Sequence, residues 1–568
     1  MIRNGKTLLS GIDPVGRAVK IADTISAADR TLYFCPSPLY GYGLERLLER
    51  LSQFPSSAVL CVEADAELFS LSQKHIDPAI KNNPQFRLTG CCDAGGLCSF
   101  LRGEWGARFF GRLETVRFNG GWQLFANLYN NLAETLRQEI ALDWGNALTL
   151  TKLGRRFIRN AVRNLASLSR RHSLERLSFG NDPVLVLGAG PSLDNFLDNF
   201  VSHFGSRLAD DLQMPEKRPF KIICVDTCLP ALKARKITPD MAVVLESQHL
   251  NLDDFAGLSG WKVNAAMDLS ALPRSGEVLS GDLSLFFTPW TDLAVFERLR
   301  ASGLLPLKIP PLGSVGLTAV AIALKISGGK IVTAGLDFSF AADAYHARST
   351  PGHLSKLRRH NRFTSLFNAE AAYGETAIKA VSKSGDQILS SPILIHYRNL
   401  FERVFSAEKL AASRLFDITG SGLPLGLKTV SAAEAVNILC ENSSIRQNET
   451  EAAVCPAPKK RATEKLQAFA RKERKRLTLL RNMLSGVIPP DHETIDTLIN
   501  ECDYLWAHFP DYAASSRRPV MAELEKSGSA ISFLKRLRAE IDPFLELWAL
   551  YDLESDSKSY KCVLNAAT

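Results

Sequence analysis

The stretch NDPVLVLGAGPSLDNFLDNF, residues 181–200, decides the fold of the central part of the chain. Its apolar run Val184–Leu187 leads into Gly188-Ala189-Gly190-Pro191-Ser192-Leu193-Asp194, after which apolar residues recur at helical spacing. This order predicts a buried strand, a tight turn and a helix. The glycines permit a sharp turn and the close approach of a ligand, Pro191 fixes φ, and Ser192 is placed to cap the helix or to contact a ligand.

The start of the predicted helix is suited to an anion. Backbone N–H groups there have no partner within the helix, so the loop 188–194 favours a phosphate. A dinucleotide-binding loop reads G-x-G-x-x-G, and this run lacks the third glycine, which disfavours plain NAD binding. The alternative is a tight turn between strand and helix that binds no ligand.

Further short apolar runs follow between residues 181 and 405, separated by helical or polar segments: FKIICVDT, MAVVLE, VNAAMD, LSLFFT and KIVTAGLD. Repeated buried strands with crossovers predict an α/β fold with a Rossmann-like, mostly parallel sheet. Around it we expect a smaller α/β domain (1–120), a helical connector (121–180), a connecting region and linker (406–460), and a helical C-terminal domain (461–568). In the first of these, GYG lacks a third glycine and Glu63 ends the next strand, which indicates a scaffold unit more than a cofactor site.

Polar residues end two of the predicted strands. Asp226 and Thr227 follow KIICV, and Glu246 follows MAVVL. The carboxyl ends of parallel strands border the crevice in which α/β sheets bind ligands. Asp226 and Thr227 are therefore candidates to contact a base or a ribose, and Glu246 a sugar, a ribose or a metal. Each carboxylate could instead cap a helix.

A third segment, residues 310–340, adds a second helix start. Gly313-Ser314-Val315 begins an apolar helix that must be buried on most sides, and its amino end again offers backbone donors. The following strand ends at Asp337, and the loop beyond it holds Tyr345 and His346. A histidine there suits a general base or a group that steadies a phosphate, unless it is merely solvated.

Composition narrows the class of protein. A formal net charge of +8 over 568 residues permits an anionic ligand and does not demand nucleic acid. Eleven cysteines without a regular framework favour a reducing compartment, and the spacing of Cys91, Cys92 and Cys98 matches no standard zinc pattern. The first residues do not resemble a secretory signal, and no apolar run reaches about 18 residues. We expect a cytoplasmic protein with no membrane span, no firmly required cofactor and Mg²⁺ as an optional ion.

Together, GAGPSLD, the strand end Val-Asp-Thr, GSVGLTAVAIA and GLDFSF…YHA resemble the central domain of the motility-associated factor (Maf) glycosyltransferases. That domain is similar to archaeal-type 6-hydroxymethylpterin diphosphokinases and to bacterial sialyltransferases. The resemblance covers roughly residues 30–405. It implies transfer of a nonulosonic acid, of pseudaminic or legionaminic type, from a CMP-activated donor to Ser or Thr of flagellin.

The resemblance also implies a set of roles. CMP would lie over Gly188–Asp194 and Asp226-Thr227, with Ser314 near the phosphate or the donor carboxylate. The candidate catalytic residues are His346, Asp337 and Glu246, the last standing where the family pattern has Asp. The alternatives are diphosphoryl transfer to a pterin, with carboxylates at 226, 246 and 337 around Mg²⁺, and a non-catalytic protein that binds flagellar partners.

Overall fold

The computed structural model describes residues 1–106, 109–166, 172–209, 211–341, 344–365, 374, 376–441, 459–487, 491–512, 520–526 and 528–551. The chain divides into two compact units, Met1–Arg155 with Pro490–Leu537, and Arg156–Pro489 with Arg538–Thr568. The domain boundaries given above stay a prediction. In the described part of the chain, no helix is long and apolar enough to cross a membrane.

The first unit contains a four-stranded parallel sheet in the order β5-β4-β3-β6. Its strands are β1 (Ile2–Arg3), β2 (Lys6–Thr7), β3 (Thr31–Pro36), β4 (Ala58–Val62), β5 (Phe86–Thr89) and β6 (Arg112–Thr115), of which β1 and β2 form a separate hairpin. Its helices are α1 (Pro14–Thr24), α2 (Leu44–Leu51), α3 (Ala66–His75), α4 (Pro78–Lys81) and α5 (Ala94–Trp105), and α6 (Ala126–Leu165) continues into the second unit. Alternate residues of β3 enter two separate apolar clusters, as a sheet covered on both faces requires.

The second unit contains a ten-stranded sheet in which every pairing is parallel. Nine strands follow the order β13-β12-β11-β10-β9-β8-β14-β17-β18, and β7 pairs with β12. The strands are β7 (His172–Ser173), β8 (Val184–Leu187), β9 (Lys221–Val225), β10 (Met241–Val244), β11 (Asn264–Asp268), β12 (Leu283–Phe287), β13 (Leu307–Lys308), β14 (Ile331–Ala334), β17 (Leu415–Ile418) and β18 (Lys428–Val430), with β15 (Ile378–Val381) and β16 (Gln387–Ser390) as a separate antiparallel hairpin. The predicted α/β class and parallel sheet are confirmed.

The helices of this unit follow the strands. They are α7 (Ser192–Ala209), α8 (Leu229–Ala234), α9 (Ser275–Val278), α10 (Ala294–Ala301), α11 (Val315–Ile326), α12 (Pro351–Arg359), α13 (Pro392–Phe401), α14 (Lys409–Ala412), α15 (Ala432–Cys440) and α16 (Lys459–Leu484). Beyond them α17 (His492–Glu501) and α18 (Val520–Lys526) belong to the first unit, and α19 (Ala530–Ala549) begins in the first and ends in the second.

The strand order reverses between β8 and β14. From β8 the chain builds outward through β9 to β13, whereas β14 begins the other half, which continues through β17 to β18. In open α/β sheets, ligands bind beyond the carboxyl ends of the strands at such a switch point. The loops after β8 and β14 are therefore where a site is expected on topological grounds.

Candidate functional site

Three sequence segments meet at the switch point. The Gly188 N–H donates to Ala334 O at 2.8 Å, and the Gly190 N–H donates to Gly335 O at 2.9 Å. A methyl group built on Gly316, in the first turn of α11, would lie 2.7 Å from Leu336 Cδ2, and one built on Gly188 would lie 2.6 Å from the same atom. Leu336 therefore fills the space between the loop after β8 and the start of α11.

This packing explains why residues 188 and 190 are glycine, for a reason that the sequence did not reveal. A methyl group on Gly190 would lie 2.5 Å from Asp337 Oδ2 and 2.8 Å from Gly335 O. From the sequence, glycine was expected at these positions because it permits a sharp turn and the close approach of a ligand. The structure shows that the neighbouring loop, Gly335–Asp337, already requires it.

Asp337 occupies the amino end of α7. Its Oδ2 accepts from the Ser192 N–H at 2.7 Å, and its Oδ1 accepts from the Ser192 hydroxyl. The carboxyl group is buried, which raises its pKa, while the ammonium of Lys383 acts in the opposite direction. Ser192 thus contacts an internal carboxylate, and one of the backbone donors that the sequence assigned to a ligand phosphate is already used.

A second buried carboxylate, that of Asp417, lies close enough to Asp337 for the two charges to interact. Lys383 Nζ forms an ion pair with Asp417 Oδ2 at 2.5 Å and donates to Ile418 O at 3.2 Å. The hydroxyl of Thr333 donates to Asp417 Oδ1 at 2.8 Å. Lys383 therefore holds the turn between β15 and β16 against β17. The sequence analysis missed both charged residues, although an aspartate inside the apolar strand LFDI was a usable signal.

Two further carboxylates share one amide at the carboxyl end of β9. The Asn251 side-chain NH₂ donates to Asp226 Oδ2 at 2.8 Å and to Asp254 Oδ2 at 3.0 Å, and its oxygen accepts from the Ser275 hydroxyl at 2.8 Å. Burial raises the pKa of Asp226 to about 6 and that of Asp254 to about 7. Repulsion between the two carboxylates adds to the shift of Asp254. This pair can hold or exchange a proton near neutral pH.

Thr227 and Glu246, the other residues predicted at the ends of these strands, lie beside Asp226. The Thr227 N–H donates to Asp226 Oδ1 at 3.0 Å. Glu246 is exposed, its Oε1 accepts from the Gln248 N–H at 2.9 Å, and its charge contributes to the raised pKa of Asp226. Asn251 and Asp254 lie in the 3₁₀ segment His249–Phe255, and the sequence analysis missed both.

Asp194 and Leu193, which the sequence placed in the ligand loop, make contacts within the protein. Asp194 pairs with Arg235 at 2.7 Å and accepts from the Arg348 N–H at 2.8 Å. Leu193 is fully buried, and Pro191 is half-buried. The Ala347 N–H donates to Ala189 O at 3.0 Å. The segment after His346 is thereby held against the β8–α7 loop and the first turn of α7.

Aromatic side chains lie beside the start of α11. A methyl group on Gly313 would lie 3.1 Å from Tyr397 Cε1, and Tyr345 is close enough to raise the pKa of Tyr397 beyond the effect of burial. The Tyr345 ring meets the His346 ring edge-on, with 4.9 Å between centroids. Burial, and then the charge of Lys356, lowers the pKa of His346, which favours the neutral imidazole.

Ser314 stands at the N-cap of α11, directly before Val315. Its carbonyl accepts from Thr318, and its side chain makes no capping hydrogen bond to the first turn. The start of α11 therefore differs from that of α7, where Asp337 takes the Ser192 donor. An anion is better accommodated at α11.

Within the described ranges, no group of three or more His, Cys, Asp or Glu side chains could hold a metal ion. Asp226 and Glu246 interact with each other, whereas the charged groups that act on Asp337 are Lys383 and Asp417. The carboxylates at 226, 246 and 337 that the alternative function would gather around Mg²⁺ thus form no such group.

Comparisons with known proteins concern the family and the fold of the chain. The family model "6-hydroxymethylpterin diphosphokinase MptE-like" matches residues 155–343. An uncharacterized protein of Treponema pallidum (strain Nichols) is 30% identical over 542 residues, which cover 92% of this chain and 88% of that protein. The solved structure of a Maf glycosyltransferase from Magnetospirillum magneticum AMB-1 superimposes with a TM-score of 0.51 at 14% identity, covering 99% of this chain and 88% of that one. The last comparison shows a shared fold.

Proposed function

We propose that the chain, which belongs to one family with the Treponema pallidum protein, is a glycosyltransferase that uses a nucleotide-activated sugar. Its match to an MptE-like family model and the fold that it shares with a Maf glycosyltransferase support this. The donor is a CMP-activated nonulosonic acid of pseudaminic or legionaminic type, and the acceptor is Ser or Thr of flagellin in the cytoplasm. The observation that carries the proposal is the meeting of the β8 loop, the start of α11 and the β14 loop around Leu336 and Asp337 at the switch point.

The amino ends of α7 and α11 bind different negatively charged groups. Asp337 supplies the negative charge that the start of α7 favours, so the donor phosphate or carboxylate binds at the start of α11, beside Ser314. The nucleoside extends over Gly188–Gly190 toward Asp226 and Thr227. Asp226 has both oxygens engaged by Asn251 and Thr227, so it acts mainly by fixing the shape of this pocket.

His346 is the candidate base. A neutral imidazole can accept the proton that the acceptor hydroxyl loses as its oxygen attacks the sugar, whereas an imidazolium cannot. The lowered pKa of His346 favours this neutral form. Its hydrogen-bonded neighbour Ala347 ties it to the β8 loop, where the nucleotide is proposed to lie.

A ligand-stabilisation measurement tests the assignment. The melting temperature of the full chain is recorded with CMP, a CMP-nonulosonate, UDP and ATP, each with and without Mg²⁺. At about 100 times its dissociation constant, a specific ligand adds about 2.7 kcal/mol of stability. We expect stabilisation by CMP without Mg²⁺, lost in Ser314→Ala. No shift with any nucleotide would contradict the proposal and favour a non-catalytic binding protein.

One observation favours a second function. The match to an MptE-like family model over residues 155–343 fits diphosphoryl transfer to a pterin, a reaction in which carboxylates would bind Mg²⁺. Stabilisation by ATP that depends strictly on Mg²⁺, with none by CMP, would establish this alternative in place of sugar transfer.

The role of His346 gives a sharper prediction. His346→Ala is expected to slow transfer by about 10²-fold or more while the affinity for CMP changes little, because a base acts on the acceptor. Transfer rate and CMP affinity are measured on the same preparation. His360→Ala is the matched control, since His360 is exposed and its ring bonds to Thr364 O. Equal loss of rate and affinity in His346→Ala would make it a binding residue.

A further inference from the structure

Helix α16 carries an unusual concentration of charge. Its 26 residues include ten Lys or Arg and two Glu, a net charge of +8, which equals that of the whole chain. Five of the six residues from 471 to 476 are cationic. Like charges four positions apart, as at 471/475 and 472/476, destabilise a helix by about 0.2–0.5 kcal/mol each. The sequence therefore keeps this charge at a cost to local stability.

The acidic residue of that run is turned inward. Glu473 is fully buried and accepts from Arg298 Nε and NH2 of α10, both at 2.9 Å, and from Arg476 at 2.9 Å. Leu477 and Leu480 are fully buried on the same side of α16. This anchoring fixes the rotation of the helix. As a result the cations at 471, 472 and 475 face the solvent.

A surface groove of about 530 Å³ runs along the outer face of α16. It is lined by Arg471, Arg474, Lys475, Thr478, Leu479 and Asn482. These positions recur every three or four residues, so they form one stripe, about 16 Å long at 1.5 Å per residue. The stripe combines cations with an apolar side chain, because Leu479 is 38% exposed.

We propose that this stripe is the docking surface for an acidic polypeptide segment that also carries apolar side chains. Carboxylates of the segment pair with Arg471 and Lys475, and an apolar side chain covers Leu479. In the terms of the proposed function, on which this part rests, the segment belongs to the protein acceptor. The stripe lies on α16, which is separate from the nucleotide loops. We therefore assign it to binding of the acceptor polypeptide, while the transfer reaction takes place at the switch point.

Other polyanions fit the stripe less well. An interfacial helix inserts an outward apolar face into a membrane, whereas the apolar residues of α16 at 466, 469, 477 and 480 are buried in the protein. Proteins that bind single-stranded nucleic acid stack bases on exposed aromatic side chains, and the six lining residues include no aromatic.

Fluorescence anisotropy tests the proposal. The probe is a fluorescein-labelled peptide of repeated Glu-Glu-Leu, titrated with the full chain at about 50 mM and about 300 mM salt, because screening weakens contacts between exposed charges. The double substitution Arg471→Glu with Lys475→Glu is expected to weaken binding at least about tenfold at low salt. Leu479→Ala is expected to weaken it by a few-fold at both salt concentrations.

The matched control reverses two cations of the same helix outside the groove, Lys465→Glu with Lys472→Glu, and changes the net charge by the same amount. We expect it to alter binding by less than about twofold. Equal weakening in both double variants, or tighter binding of a DNA duplex or of anionic lipid vesicles than of the peptide, would overturn the proposal. The anisotropy needs no enzymatic activity, so it fails or succeeds independently of the CMP stabilisation that tests the proposed function.

Discussion

At the scale of single residues, Asp337 determines how the site is built. Its side chain is buried and accepts hydrogen bonds from both the N–H and the hydroxyl of Ser192. Together with Gly335 O, it leaves no room for a side chain at Gly190. A carboxylate at the start of α7 is stabilised by the helix dipole, which offsets part of the cost of burial. The nucleotide loop is thus held in shape by the protein itself, before any ligand binds.

Gly190→Ala tests this close packing. The added methyl group would lie 2.5 Å from Asp337 Oδ2 and 2.8 Å from Gly335 O, so a loop must shift. We expect a loss of about 1–3 kcal/mol of stability, as for overpacked cores. Urea unfolding measures it. Gly145→Ala is the control, because nothing lies within 4 Å of a methyl group there and alanine favours the helix. Unchanged stability in Gly190→Ala would contradict the packing described.

The pair Asp226 and Asp254 predicts a dependence of stability on pH. The pKa of Asp254 is raised from the ordinary 3.8 to about 7, so between these values the folded chain keeps a proton that the unfolded chain has lost. Stability from this group is therefore full below pH 4 and is lost as the pH rises toward 7. Asp254→Asn should remove that loss, so the variant gains stability relative to the natural protein across this window.

Thermal unfolding between pH 4 and 8 measures the effect. The asparagine can still accept from Asn251, so the contact is preserved while the charge is removed. Asp282→Asn, at an exposed aspartate, is the control and is expected to leave the pH profile unchanged. A parallel profile for Asp254→Asn and the natural protein would show that Asp254 is charged throughout the range.

At the scale of elements, one buried ion pair contributes to the attachment of α16, beside its buried apolar side chains. Arg298 on α10 binds the fully buried Glu473 through two hydrogen bonds of 2.9 Å. Arg298→Met would remove two hydrogen bonds from the buried Glu473 carboxylate, which also accepts from Arg476, and should cost about 1–3 kcal/mol of stability. Arg300→Met, at an exposed position of the same helix, should change stability by less than about 0.5 kcal/mol. Urea unfolding measures the stability of both variants. If Arg298→Met were as stable as Arg300→Met, the anchoring role of Arg298 would be contradicted.

The elements also show what the sequence can and cannot predict. The strands β8, β9, β10 and β14 and the starts of α7 and α11 were predicted, because apolar runs and glycine turns are local signals. Asn251 and Asp254 were missed because a short 3₁₀ segment has no period to recognise. Lys383 and Asp417 were missed because they lie some 50 to 80 residues beyond Asp337, and only folding brings them near it.

Helix α6 gives a related case. Its Asn160 and Asn164 look like ordinary polar positions of an amphipathic helix, yet both are buried. The Asn164 NH₂ donates to Leu269 O at 2.9 Å and to Ala271 O at 2.8 Å, and Asn160 donates to Ser247 O at 3.2 Å. These bonds brace the loops after β10 and β11 beside the carboxyl pair. Polar identity alone does not reveal which side of a helix faces the protein.

At the scale of the whole molecule, the last hundred residues contribute to both units. In the first unit, Trp506 and Phe533 pack edge-on with 5.5 Å between ring centroids. In the second, Phe469 of α16 packs on Trp548, and the Tyr551 hydroxyl bonds to Val162 O of α6. The sequence predicted a helical C-terminal domain over 461–568, but a helical apolar pattern does not say which core each helix joins.

Ending the chain after Cys440 is therefore expected to destabilise both units. The second loses α16, whose Phe469 packs on Trp548 and whose Glu473 binds Arg298 of α10. The first loses the buried Leu505, Trp506 and Phe533. Truncation should lower the melting temperature and increase binding of a dye that reports exposed apolar surface, because large buried side chains lose their cover. The full chain with Arg471→Glu and Lys475→Glu, which alters the same helix on its exposed face, should melt as the natural protein does. If the truncated chain kept the full melting temperature and bound no dye, residues 441–568 would form a separable module, and the cores described above would not need them.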